Sequence, residues 1–272
     1  MTTSTARIPL SFAHLAALEV GPPELIDLVA EAGFASTSLR MIPTVPAGPA
    51  YPLDNRAQRR ATRNRVTATG VHVLYIEVVS LSQLLDVPTL EPLFEAGADV
   101  GATRVLAAGD DADFAVVADK LAAVCELGRQ FDLAIDVEFM PFRAVRTLAD
   151  AVDVIDRAGA TNAHVLVDAL HFYRSNSSLD QLRHLDRRLL GTFQICDGVR
   201  NAPVDLAYEA RNARLLPGRG ELRLIELLNV LPVDLPMGVE VPMALSHPEL
   251  DLSERLELML AETRTFMSRT SN

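Results

Sequence analysis

The chain reads as an α/β protein folded as a single-domain (β/α)8 TIM barrel spanning residues 1–272. Three observations predict this. Short apolar runs alternate with amphipathic helical patterns eight times, the rhythm of parallel strands joined by right-handed crossovers. The chain has 272 residues, close to the ~250 that such a barrel takes as one domain, and no composition break marks a linker. Finally, no GxGxxG follows the first strand, which argues against a doubly wound dinucleotide-binding sheet.

The first strand is expected over 7–13, followed by a helix over 22–33 that opens on Pro and closes on Gly. A second strand, 35–42, runs into a Pro- and Gly-rich segment, 43–52, long enough to act as a rim loop or lid. An Arg-rich helix over 54–69 is closed by Gly70, and 71–79 forms the third strand. Helix 88–100, strand 102–108, helix 111–130 and strand 133–139 complete the first five strands. The second half continues with helix 144–158, strand 164–168, helix 178–187 and strand 190–196. An irregular loop over 197–217, helix 220–230, strand 237–241 and helix 252–268 end the chain.

Composition narrows the function classes. Hydrophobic residues make up 49% of the chain, enough for a large core, and no apolar stretch approaches the ~20 residues that span a bilayer. The polar start, MTTSTAR, runs at once into a strand-like segment, so no signal peptide is expected and a cytoplasmic location is the default. A net charge of −11 disfavours a nucleic-acid partner, because that affinity comes from Lys and Arg neutralising phosphates. Lys120, the only lysine, sits in an amphipathic helix pattern and reads as a solvated surface charge, which disfavours Schiff-base chemistry. Cys125 and Cys196 form no CxxC and read as reduced, buried thiols.

Active sites of such barrels lie at the C-terminal ends of the strands. Four consecutive strands, the fifth to the eighth, end in Glu138, Asp168, Gln194 and Glu240. Unpaired carboxylates at such close quarters would drive at least one pKa up by several units. A divalent cation resolves the repulsion, and an oxygen-rich set suits Mg²⁺, Mn²⁺ or Ca²⁺ better than zinc. The competing reading is that some of these acids form ordinary rim salt bridges with arginine.

Glu138, the Asp168-Ala-Leu-His171 and Gln194-Ile-Cys-Asp197 segments, Leu216-Pro217-Gly218-Arg219-Gly220 and Glu240 together resemble the xylose-isomerase-like TIM barrels, the sugar phosphate isomerase/epimerase superfamily. The resemblance covers nearly the whole chain. It implies Glu138, Asp168 and Glu240 as metal ligands, and His171 as a substrate-binding residue or a support to the ligands. It implies a divalent metal, Mn²⁺ or Mg²⁺, and a homo-oligomer as a possible assembly. The chain departs from the family at Gln194, where a histidine is usual. The amide oxygen of Gln194 is then a fourth, weaker ligand; alternatively, the site is weak or vacant, or the amide binds substrate.

The reaction implied is proton abstraction beside a carbonyl to give an enediolate, with Glu138 and Glu240 as base and acid. Returning the proton to the same carbon epimerises, and moving it to the neighbouring carbon isomerises. The small-molecule substrate is a sugar-like hydroxy-carbonyl compound. A dehydratase or lyase acting on a related keto-polyol is the alternative enzyme, and a barrel without metal or catalysis is the alternative outside enzymes. Arg214 and Asp197 are candidate substrate contacts by the same resemblance, while Glu77, Arg40 and His14 fall near strand ends at the mouth. Arg40 and Glu77 equally suit a mutual ion pair, and His14 a capping role. The Pro217-Gly218-Arg219-Gly220 turn falls where barrels often bind phosphate, and Arg219 would favour an anion there. Phe12, Phe139, Met140, Phe142, Phe172 and Tyr173 are candidate walls of the pocket. His72 and His164 begin strands and are expected at the barrel bottom, and His247 follows the last strand.

Overall fold

The structure, a computed structural model, describes residues 9–270. Eight parallel strands close into a barrel in chain order. They are β1 Leu10–Phe12, β2 Ser36–Arg40, β3 His72–Leu81, β4 Arg104–Gly109, β5 Ala134–Glu138, β6 Ala163–Asp168, β7 Leu190–Ile195 and β8 Met237–Val239. Closure is made by β8 against β1, with Leu10, Ser11 and Phe12 beside Met237, Gly238 and Val239. The helices are α1 Pro22–Ala32, α2 Arg56–Thr69, α3 Glu91–Asp99, α4 Phe114–Gln130, α5 Leu148–Ala158, α6 Ala169–Arg174, α7 Leu179–His184, α8 Leu206–Asn212, α9 Leu224–Leu228 and α10 Leu252–Thr270.

Strand alternation sorts the side chains into two layers. Ile135 and Val137 of β5 join the large apolar layer between barrel and helices. Tyr75, Val78, Leu106, Ala108, Met140 and Leu166 form a second, smaller cluster. Asp136, buried between Ile135 and Val137 in sequence, accepts from Arg104 over 2.6 Å and from Thr192, with His164 Nδ1 3.7 Å away. Gly191 admits this carboxylate, since a Cβ there would lie 2.2 Å from Asp136 Oδ1. Glu138 lies two residues on from Asp136, at the C-terminal end of β5.

The structure redraws several expected boundaries. Of the first strand, residues 7 and 8 lie outside the described residues, as does the segment read for a signal peptide. The helix expected over 144–158 starts at Leu148, where Thr147 and Asp150 form a reciprocal capping box. The helix expected over 178–187 breaks into α7 and a 3-10 turn, Arg187–Leu189. The helix expected over 220–230 shortens to α9. The irregular loop over 197–217 contains α8, capped by Asp205 accepting from Tyr208 N–H. Lys120 is half-buried and donates to the Leu85 carbonyl at 2.7 Å. Among the described residues, no helix is long and apolar enough to cross a membrane.

Candidate active site

The site is built where β5, β6, β7 and β8 end. Glu138, Asp168 and Glu240 each present a carboxylate oxygen within 4.8 Å of the others, and all three are buried. Gln194 stands between Asp168 and Gly238 in strand register and is fully buried. Its Nε2 donates to the Tyr75 hydroxyl at 2.7 Å and to Glu240 Oε1 at 3.2 Å. Its Oε1 is buried with no hydrogen-bond partner.

Asp168 has two duties. Oδ1 caps α6 by accepting the His171 N–H at 2.9 Å, and Oδ2 takes Arg214 Nη1 at 2.6 Å. Arg214 reaches Glu240 with Nη2 at 2.8 Å. Its Nε donates to the Ala210 carbonyl at 2.7 Å, and Nη1 also meets Cys196 Sγ at 3.1 Å. One buried guanidinium therefore balances two of the three acids.

The third acid, Glu138, has His171 Nε2 at 3.7 Å. Burial drives its carboxyl well above the usual carboxylate range, and Glu240 and Asp168 add to the rise. Burial also lifts Glu240, to about 7, against the opposing pull of Arg214. Burial would raise Asp168 too, but Arg214 and His171 hold it below its ordinary value. Burial lowers His171 to about 4, so its ring is neutral near pH 7.

The donor set fits a divalent cation. Three carboxylate oxygens converge, while Gln194 turns its Nε2 to Glu240, so its buried, orphaned Oε1 would reach an ion there only with the amide turned over. An all-oxygen set of this kind suits a hard ion. Arg214 supplies a counter-charge to Asp168 and Glu240.

The mouth is lined by Glu138, Glu240, His171, Arg214, Arg40 and Glu77, together with Thr44, Met140, Phe142, Arg143 and Arg211. Arg40 and Glu77 both line it and lie 3.6 Å apart, while Ser38 donates to Glu77 at 3.0 Å. Asp168 and Gln194, both fully buried, are not part of this lining, and two candidate substrate contacts also stand away from it. His14 accepts the Arg40 N–H at Nδ1 and donates from Nε2 to the Val20 carbonyl, with its ring stacked on Tyr51. Asp197 accepts four backbone N–H groups, from Gly198, Gly218, Gly220 and Leu222, at 2.8–3.0 Å.

The Pro217–Gly220 turn thus gives two of its three backbone donors to Asp197 and the third, Arg219 N–H, to the Leu216 carbonyl, while the Arg219 side chain pairs with Glu262 at the surface. Of the candidate wall residues, Met140 and Phe142 reach the mouth. Phe12, Phe139 and Phe172 are sealed in the core, and Tyr173 packs against Phe172 and Arg223. The segment 43–52 is a rim, pinned by Tyr51 N–H to the Arg40 carbonyl at 2.8 Å and by Arg40 to Thr44.

Tyr75, Arg143 and Arg211 escaped the sequence reading. Tyr75 is mid-strand, where an aromatic reads as core. Arg143 lies between β5 and α5, and Arg211 is on the unrecognised α8. The spacing of Arg211 and Arg214, with Asp205 as cap, was the available signal.

Fold and site together define a (β/α)8 barrel with a buried acidic cluster at the C-terminal mouth. A family model described as xylose isomerase-like TIM barrel matches residues 26–262, and the chain belongs to that family. Inosose isomerase of Bacillus licheniformis is 26% identical over 131 residues, which is 47% of this chain and 46% of that relative, so the match spans just under half of its length. The IolI protein with a bound zinc atom superposes with a TM-score of 0.76 at 17% identity, covering 97% of this chain and 98% of that one. The apo 3-keto-D-glucoside 4-epimerase YcjR of E. coli gives 0.72 at 17% identity, covering 95% and 100%. At these identities the two structures establish the shared fold alone.

Proposed function

We propose that the chain is a divalent-metal-dependent isomerase or epimerase acting on a small, sugar-like hydroxy-carbonyl compound through an enediolate. The observation that carries this is the pair Glu138 and Glu240, which line one mouth with oxygens within 4.8 Å of each other and of Asp168. The likeness to an inosose isomerase and the fold shared with a keto-glucoside epimerase support the reaction class.

Glu138, Asp168, Glu240 and, with its amide turned over, the oxygen of Gln194 would hold the ion. When bound, it would supply positive charge beside the substrate's carbonyl and hydroxyl oxygens. Glu240 is placed at the mouth to take or give a proton beside the carbonyl. Glu138 faces the same mouth and is the candidate acid partner. His171, neutral and 3.7 Å from Glu138, offers a hydrogen-bonding group to a substrate oxygen without adding charge. Arg214 offers guanidinium N–H groups to developing oxyanion charge.

The test is solvent deuterium incorporation into ketoses and inososes with Mn²⁺ or Mg²⁺ added. Exchange at a carbon beside the carbonyl, abolished by Glu240→Gln in a folded protein, is expected. Exchange that persists in Glu240→Gln contradicts the two-glutamate scheme, and no exchange in any member of the panel contradicts the reaction class.

A further inference from the structure

Four arginines line the mouth: Arg40, Arg143, Arg211 and Arg214. Three have carboxylate partners. Arg40 faces Glu77, Arg143 pairs with Asp110, and Arg214 bridges Asp168 and Glu240. Arg211 has no acidic partner among the described residues. Its guanidinium carbon instead lies 5.8 Å from the centre of the Phe142 ring. Phe142 in turn meets His171 edge-on at 5.4 Å, and His171 lies 3.7 Å from Glu138. A row of four side chains therefore leads from an uncompensated cation at the rim to an acid of the active site.

The cation is built in rather than adrift. Arg211 is half-buried on α8. That helix is clamped by Arg174, which grips Glu209 through Nε at 2.7 Å and Nη2 at 2.6 Å, with both residues buried. A guanidinium stacked on a ring keeps its N–H edge free for a planar acceptor. Leaving a half-buried charge uncompensated is unfavourable, and a ligand anion removes that cost. The molecule as a whole carries −11, so the body repels anions and an anionic substrate needs a local cation of this kind.

Resting on the isomerase or epimerase reading above, we infer that Arg211 reads a carboxylate on the substrate. The substrate class is then a small hydroxy-carbonyl acid, not a neutral sugar. A carboxylate is favoured over a phosphate by one observation. The backbone nest after β7, where a phosphate would sit, is filled by Asp197.

Titration calorimetry on the Mn²⁺-loaded protein tests this with three ketoses that differ only at C6: D-fructose, D-fructuronate and D-fructose 6-phosphate. The carboxylated ketose is expected to bind roughly 10- to 100-fold tighter than the neutral one, the effect of one charge-assisted hydrogen-bonded pair. Arg211→Gln should collapse that ratio to about one, and Arg211→Lys should keep part of it, since it restores the charge without the fork. Equal affinities, a ratio that survives Arg211→Gln, tighter binding of the phosphate, or no binding by any of the three would each overturn the assignment. Binding needs no turnover, so failure here leaves the deuterium-exchange test of the reaction standing, and failure of exchange leaves this ratio measurable.

Discussion

Arg214 Nη1 lies 2.6 Å from Asp168 Oδ2, and both side chains are excluded from solvent. This contact joins residues 46 positions apart in sequence and sets the charge balance of the mouth. The same guanidinium reaches Glu240, so removing it leaves two buried carboxylates without their cation. Arg214→Met is expected to destabilise the chelator-treated protein by about 3–5 kcal/mol, the usual cost of breaking a buried pair from one side. Added Mn²⁺ should raise its melting temperature more than it raises that of the native chain. A melting temperature unchanged by the substitution would show that the two carboxylates do not depend on Arg214 for their counter-charge.

Gln194 offers a single orphaned oxygen where an imidazole would offer a nitrogen. Gln194→His should therefore tighten divalent binding by roughly tenfold or more and shift preference toward zinc, because imidazole suits zinc better than an amide does. Competitive titration of Zn²⁺ against Mn²⁺ measures both effects. The histidine would also give up the donor that Gln194 extends to Tyr75 and Glu240, so some loss of metal-free stability is expected.

Gly220 approaches Asp197 so closely that a Cβ would fall 2.4 Å from Oδ1 and 2.5 Å from the Gly198 carbonyl. Gly220→Ala must break the cradle around Asp197. Buried donors left unsatisfied cost about 1–3 kcal/mol each, so a loss of this order is expected in urea unfolding. Asp197→Ala should produce a similar loss. Because Asp197 also pairs through its backbone with Leu215, both variants should lower activity through displacement of Arg214.

His14 sets an acid limb. Burial lowers its ring from 6.5 to about 4. Between those values the unfolded chain takes up a proton that the native chain refuses. Stability is thus present above about 6.5 and lost as pH falls through about 4. The full loss is about 3 kcal/mol. His14→Gln should make this part of the curve shallower when unfolding is followed from pH 7 to pH 4, with His171, lowered to about 4 as well, keeping its own share.

The barrel was legible because eight apolar runs recur with regular helical intervals, and the closing pair β8–β1 follows from that count. Glu138, Asp168, Gln194 and Glu240 were legible because each ends a buried run, and a strand end has only one place to point in such a barrel. The roles of Arg214 and Asp197 were not. Arg214 bonds to partners brought in by β6 and β8, and Asp197 bonds to backbone N–H groups that no side-chain pattern reveals. Helix α8 was hidden by its length, seven residues set in a polar stretch, too short for a hydrophobic period to declare itself. With α8 unseen, Arg211 had no face to belong to.

The cradle around Asp197 gives the loop after β7 a tethered anion of its own. Free inorganic phosphate finds no vacancy there to contest, so turnover should be indifferent to phosphate in the medium. It also marks a route by which such a chain could change diet. Shedding the carboxylate at position 197 would free four backbone donors for a phosphate, and the phosphate would then have to take over the carboxylate's part in holding the loop and Arg214.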